Sequence, residues 1–395
     1  MNVLILNAGN TYNYGSMMMA ENLIHYSRLE NPDNRYYIHA DEIHIQRLRD
    51  ATGLEDLKAV SYPDLIWCKK FRLAKYLHRA RIPVASSLLK KMDRIYFLGG
   101  DDFTEIYGQA QLIFCLDMID MLKSKTNYLA LIGQTIGPFS ADLEPRALRV
   151  FRRMDLISLR EPTSMQYLQQ AGLTNIVRVS DLALLPLCRE PKEPESRQKN
   201  TVLFCPSQIM HQYARIVDAQ QFKQLNEKIA RHLLADPAIR LVILPHVYDD
   251  RTNGDLEVAQ DLYDRLADVN DRVEYLRGPV LPYQVREIIR RSRCIVAERM
   301  HPAISGLACE TPSLVFSYGR KYQGIFEELY QLGPTIVDIR QYADYDTLWA
   351  DVQTALDYVL SHDGELREQI REKNKQARRE VLAHIHALSA ADITG

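Results

Sequence analysis

Paired cysteines, long apolar runs and charge of one sign are all missing from this 395-residue sequence. Its six cysteines stand at positions 68, 115, 188, 205, 294 and 309, with no C-x-x-C pair. That spacing excludes a zinc ribbon and a disulfide framework, and it fits a reducing cytosol. No window approaches 18 uninterrupted apolar residues, so no transmembrane helix is expected. Met1–Asn7 has neither a basic n-region nor an apolar stretch of leader length, and it reads as a first strand. Lys and Arg total 49 against 51 Asp and Glu, a formal charge of −2. This balance argues against a general nucleic-acid binder. There is no short-period repeat and no low-complexity tract.

What is present is alternation. Short apolar runs at 3–8, 35–39, 94–98, 128–132, 156–159 and 176–179 are separated by helix-period segments. A second set follows at 201–205, 241–245, 273–276, 294–297 and 313–316. Several runs are apolar throughout, as in parallel strands covered on both faces. Strand–helix alternation of this kind predicts α/β architecture, with two doubly wound, Rossmann-like domains. The charged, Pro-containing stretch 188–200 reads as a linker. It divides the chain into an N-terminal domain, 1–187, and a C-terminal domain, 201–345, followed by charged helices over 346–395. Two such domains suggest a cleft, with ligands beyond the C-terminal ends of the strands.

Chemistry-bearing residues gather in the strand-to-helix loops. After the run ending at Ala297 come Glu298, Arg299, His301 and Pro302. Pro is favoured at a first helical position, and a helix N-terminus beside Arg299 and His301 makes an anion site. A surface pair of Glu298 with Arg299, with His301 merely leading into the helix, is the plainer alternative. Arg320 and Lys321 follow the next strand, where they either complete a polyanion site or form a solvated pair. Arg160 follows the strand 156–159 and suits a bidentate carboxylate or phosphate contact, or else a structural pair with Glu161.

The loop Gly133-Gln134-Thr-Ile-Gly137-Pro138 permits close ligand approach through Gln134, or is plain turn chemistry. Asp101 and Asp102 after Gly99-Gly100 could be a metal pair, a base for a sugar hydroxyl, or helix caps. The first loop, 7–16, does not match G-x-G-x-x-G, and its amides, Asn10 and Asn13, suit a neutral sugar-like ligand. Met17–Met19 read as core. His246, in 244–250 with two Asp, lines the cleft or is a satisfied loop histidine. No metal-ligand spacing is evident.

Five of these pieces, taken in order, resemble the polysaccharide pyruvyltransferase family. They are Gly133-Gln-Thr-Ile-Gly-Pro138, Leu159-Arg-Glu-Pro-Thr-Ser164, Ser180-Asp-Leu-Ala183, Glu298-Arg-Met-His-Pro-Ala-Ile304 and Ser317-Tyr-Gly-Arg-Lys-Tyr-Gln-Gly-Ile-Phe326. The resemblance covers about residues 3 to 335. It implies a two-domain GT-B arrangement and transfer of the enolpyruvyl group of phosphoenolpyruvate to a sugar of a cell-surface glycan or its precursor. Such a transfer forms a pyruvate ketal and needs no cofactor beyond phosphoenolpyruvate as co-substrate. Arg160, His301 and Lys321 match the family's phosphoenolpyruvate-binding positions and are its implied catalytic set. Arg299, Arg320, Gln134, Asn10, Asn13, Asp101, Asp102 and His246 stand as further substrate contacts.

Where many members have a third glycine this chain has Asp101, and where many have an acid in the first loop it has Ser16. Both departures lie on the acceptor side. The acceptor sugar could be carried on a nucleotide, a lipid or a polymer. A lipid carrier would bring a cytoplasmic enzyme to the inner membrane face. A GT-B nucleotide-sugar glycosyltransferase and a non-catalytic glycan-binding relative are the competing readings.

Overall fold

The computed structural model describes residues 1–60, 88–191, 198, 200–215, 217–248 and 254–390. Most of the linker stretch and the two Asp at 249 and 250 lie outside the described residues. The chain forms two compact units. One comprises 1–11, 23–180 and 382–395; the other comprises 12–22 and 181–381.

The first unit is built on seven parallel strands: β1 (Asn2–Leu6), β2 (Arg35–His39), β3 (Lys58–Val60), β4 (Arg94–Leu98), β5 (Leu129–Gln134), β6 (Leu156–Leu159) and β7 (Ile176–Arg178). Their spatial order is β3-β2-β1-β4-β5-β6-β7. Every residue of β4 and β5 is buried, which is why neither shows polar alternation. The helix Gln109–Lys123 places Leu112, Cys115, Leu116, Ile119 and Leu122 on one stripe against this sheet.

The second unit carries six parallel strands: β8 (Thr201–Cys205), β9 (Arg240–Ile243), β10 (Val273–Tyr275), β11 (Cys294–Ala297), β12 (Ser313–Ser317) and β13 (Ile336–Asp338). Their order is β10-β9-β8-β11-β12-β13. Helix Ala219–Leu234 begins with a capping box, in which Asp218 accepts from Gln221 N–H and the Gln221 side chain accepts from Asp218 N–H. Helix Met300–Ala308 is buried almost all round. It lies close to its sheet because Gly306 has no side chain: a Cβ there would be 2.6 Å from Ser313 Oγ and 2.8 Å from Thr311 O.

Both sheets therefore repeat one winding, 3-2-1-4 outward from a central strand. These are the two doubly wound, Rossmann-like sheets that alternating runs predict, and the GT-B type of fold that the family resemblance implies. Ligand sites in such sheets lie where the winding reverses, between β1 and β4 in the first unit and between β8 and β11 in the second. The edge strands β3 and β13, three residues each, are absent from the sequence-based set. The tail forms the helices Tyr345–Ser361 and Asp363–Ala390. Buried Leu366, Ile370, Ala377, Val381, Ile385 and Leu388 make one face of the latter. No described helix is long and apolar enough to cross a membrane.

Candidate functional site

At the reversal in the first sheet, Asn7 leaves β1 in the left-handed region, with φ 60°. Its Nδ2 donates to Leu98 O at the end of β4, 3.0 Å, and to Asp102 Oδ2, 2.8 Å. Asn7 thus ties the two central strand ends together. A cavity of about 80 Å³ opens there, and its lining includes Asn7, His39, Asp102, Gln111 and Phe114. Burial and the neighbouring Asp101 push the Asp102 carboxyl up to about 6. Asp101 itself is buried, and its Oδ1 accepts from the Tyr107 hydroxyl at 3.1 Å.

Arg160, at the end of β6, is buried, and its Nε donates to Thr135 Oγ1 at 3.1 Å. Its positive charge favours the Asp102 anion. Glu161 caps the helix Pro162–Gln170 by accepting from Ser164 N–H at 2.9 Å. Gln134 is fully buried, packs against Gly99 and donates to Phe97 O at 3.1 Å. Its amide braces β5 against β4. Gly133 before it and Gly137 after it are both at positive φ, and the loop reaches a cis Gly137–Pro138 bond. Asn10 is half-buried in the same unit.

In the second unit the reversal lies between β8 and β11. Glu298, fully buried after β11, accepts from Ser207 N–H at 2.6 Å, again joining the two central strand ends. Burial pushes its carboxyl well above the ordinary range, against the Ser207 N–H bond that favours the anion. Arg299, expected to contact substrate, is held in an ion pair. Its Nε lies 2.8 Å from Asp255 Oδ2 and its Nη2 lies 2.6 Å from Oδ1, and Asp255 is wholly buried. Asp255 also accepts from Val247 N–H at 3.0 Å and Gln208 N–H at 3.2 Å. No sequence signal pointed to Asp255, 44 residues away from its partner.

His301 is the second residue of helix Met300–Ala308, which begins two residues before Pro302. Its ring is mostly enclosed, and its Nε2 lies 4.0 Å from Asp181 Oδ2. Lys321 follows the adjacent strand β12 and is buried; its Nζ lies 5.0 Å from the Tyr318 ring centroid and 5.5 Å from that of Tyr322. Arg320 is exposed. His246 is buried, with neither ring nitrogen hydrogen-bonded to a described residue. Burial, then the charges of His301, Arg299 and Arg286, keep it neutral, well below the usual histidine range.

The first loop brings an unforeseen neighbour. Residues 12–14 pair with 246–248: Tyr14 N–H donates to His246 O at 3.3 Å, and Tyr248 N–H donates to Tyr12 O at 2.9 Å. Asn13 Oδ1 accepts from Gly15 N–H at 3.1 Å, capping the helix Tyr14–Glu30. Asn13 is thereby placed beside the His301 loop, in the second unit.

Residues 13–320 match the description Polysaccharide pyruvyl transferase. The chain belongs to that family. The matched span takes in Arg160 and His301 and ends one residue before Lys321. Among curated relatives, the amylovoran biosynthesis protein AmsJ of Erwinia amylovora is 23% identical over 256 residues, spanning 61% of this chain and 60% of that protein. The chain thus aligns with less than two thirds of that relative's length.

Solved structures share the fold at low identity. A putative UDP-N-acetylglucosamine 2-epimerase from Listeria monocytogenes has a TM-score of 0.61 at 11% identity, covering 99% of this chain and 97% of its own. The spinosyn rhamnosyltransferase SpnG has a TM-score of 0.55 at 12% identity, with coverages of 98% and 100%.

Proposed function

We propose that the chain transfers the enolpyruvyl group of phosphoenolpyruvate to two hydroxyls of one sugar, forming a pyruvate ketal and releasing phosphate. The observation that carries this reading is the pairing, on adjacent strand ends of the second sheet, of a mostly enclosed histidine at a helix start with a buried lysine. Buried cationic groups at a helix N-terminus favour a compact polyanion.

In the reaction, C3 of the donor gains a proton and C2 becomes oxocarbenium-like. Two C2–O bonds to the sugar form, the C2–O bond to phosphate breaks, and phosphate leaves with the electron pair and the remaining proton. His301 is assigned the proton delivered to C3, because imidazole titrates near neutral pH. Lys321 neutralises phosphate charge. Arg160 is the first unit's candidate for a carboxylate. For the sugar proton, Asp102 is the best-placed of the sequence candidates. It lines a cavity, which His246 and Asp101, both buried, do not, although its Oδ2 also accepts from Asn7.

The acceptor is a nucleotide-, lipid- or polymer-linked sugar. Incubating the protein with phosphoenolpyruvate and a panel of glycans, with mass spectrometry for the added pyruvate, tests the activity. His301→Ala should lower transfer by about 10²–10⁴-fold with the fold intact. A thermal shift with UDP-sugars and none with phosphoenolpyruvate would replace this reading by nucleotide-sugar transfer.

A further inference from the structure

We propose that Gly15 and Asp181 form the seat that orients the His301 imidazole and holds it as a proton donor, which makes both of them positioning residues. The proposal rests on the reading of His301 as the general acid. The backbone of Gly15 is helical and would accept any residue; the space beside it would not. A Cβ at Gly15 would lie 2.1 Å from His301 Cγ, 2.1 Å from Nδ1 and 2.7 Å from Cβ. The ring therefore lies flush against the first turn of helix Tyr14–Glu30. That turn is fixed by its Asn13 cap and by the pairing of 12–14 with 246–248.

Asp181 stands at Nε2 of the ring. It is buried, and its Oδ1 accepts from Ala183 N–H at 2.9 Å, which fixes the carboxylate while Oδ2 faces His301 at 4.0 Å. A buried carboxylate at this distance stabilises imidazolium. Among the described residues, the charged groups acting with His301 on the neighbouring His246 are Arg299 and Arg286. His246 is enclosed. Arg299 is paired with Asp255, and Arg286 is paired with Glu190 and also donates to Leu185 O. Asp181 is the anion that offsets a positive charge on His301. The Ser180-Asp181-Leu182-Ala183 motif, which had no role in the sequence reading, thereby acquires one.

Two measurements test the seat. Histidine ring signals are followed by NMR across pH, with His301 assigned by its loss in His301→Gln. In Asp181→Asn the His301 midpoint should fall by about one pH unit. An unchanged midpoint overturns the role of Asp181. Gly15→Ala should lower the melting temperature by about 5 °C in the wild-type background, and by much less in His301→Gly, where both the ring and the Cβ that crowd it are gone. Equal losses in both backgrounds overturn the steric part. Neither readout uses phosphoenolpyruvate. If the wild-type protein fails to bind that donor, the proposed reaction falls while the seat is judged on its own results.

Discussion

Removing the carboxylate of Asp255 should cost the second unit more than any surface ion pair could. Asp255 is wholly buried and holds the Arg299 guanidinium through Nε and Nη2, at 2.8 and 2.6 Å. In Asp255→Ala the cation keeps its place, 14% exposed, without a counter-charge. Breaking such a pair from one side costs about 3–5 kcal/mol. The N–H groups of Val247 and Gln208 lose their acceptor in the same step, each worth roughly 1 kcal/mol or more, although these losses do not add fully. A destabilisation of about 4 kcal/mol results. Asp255→Asn keeps the shape and one acceptor, so it should cost about half as much. Arg371→Ala is the control: its partner Glu310 forms an exposed pair with it, worth under about 1 kcal/mol. Urea unfolding followed by Trp349 fluorescence, in a Trp67→Phe background, reads the second unit. If Asp255→Ala moves the midpoint no further than Arg371→Ala does, Arg299 is no strut.

Two pH-dependent outcomes follow from other buried carboxyls. Burial pushes Glu21 up from 4.5 to about 8, so between these values the folded chain keeps a proton that the unfolded chain has lost. Stability should therefore fall as pH rises through this window, by at most about 1.4 kcal/mol per pH unit. Glu21→Gln should flatten that slope, and parallel wild-type and variant curves of urea midpoint against pH would contradict it. Asp102, pushed to about 6, should give transfer an acidic limb centred there if it takes the sugar proton. Asp102→Asn should remove the limb and about 10²-fold or more of the rate; a retained limb assigns the base elsewhere.

The parallel strands were readable because burial on both faces leaves an apolar run that needs no long-range knowledge. β2, β4, β6, β8 and β11 begin and end where those runs do. β3 and β13 escaped because Lys-Ala-Val and Ile-Val-Asp are too short to show a period. The site was readable only as a set of loops. A cation after a strand looks the same whether it awaits an anion or already holds one. Arg299 holds Asp255 across 44 residues and Gly15 makes room for His301 across 286, separations over which one sequence carries no signal. The first loop was read with the first domain because it follows β1, yet its residues from Tyr12 onward pack with the second unit.

The topology supplies what the loops could not. Each sheet reverses its winding once, and at each reversal a group following the first strand donates to a carboxyl following the fourth: Asn7 to Asp102 at 2.8 Å, Ser207 N–H to Glu298 at 2.6 Å. Both carboxyls are raised by burial, yet their settings differ. Asp102 lines a cavity, while Glu298 is sealed, and its β8–β11 tie lies just before the helix that carries His301. One winding thus sets two raised carboxyls, one at the wall of a cavity and one sealed in a brace. The distinction rests on what surrounds each carboxyl and not on its place after a strand. Glu298→Gln should accordingly leave the pH profile of transfer in place while Asp102→Asn changes it. The reverse outcome would mean that the open cavity in the first unit is not where a sugar hydroxyl gives up its proton.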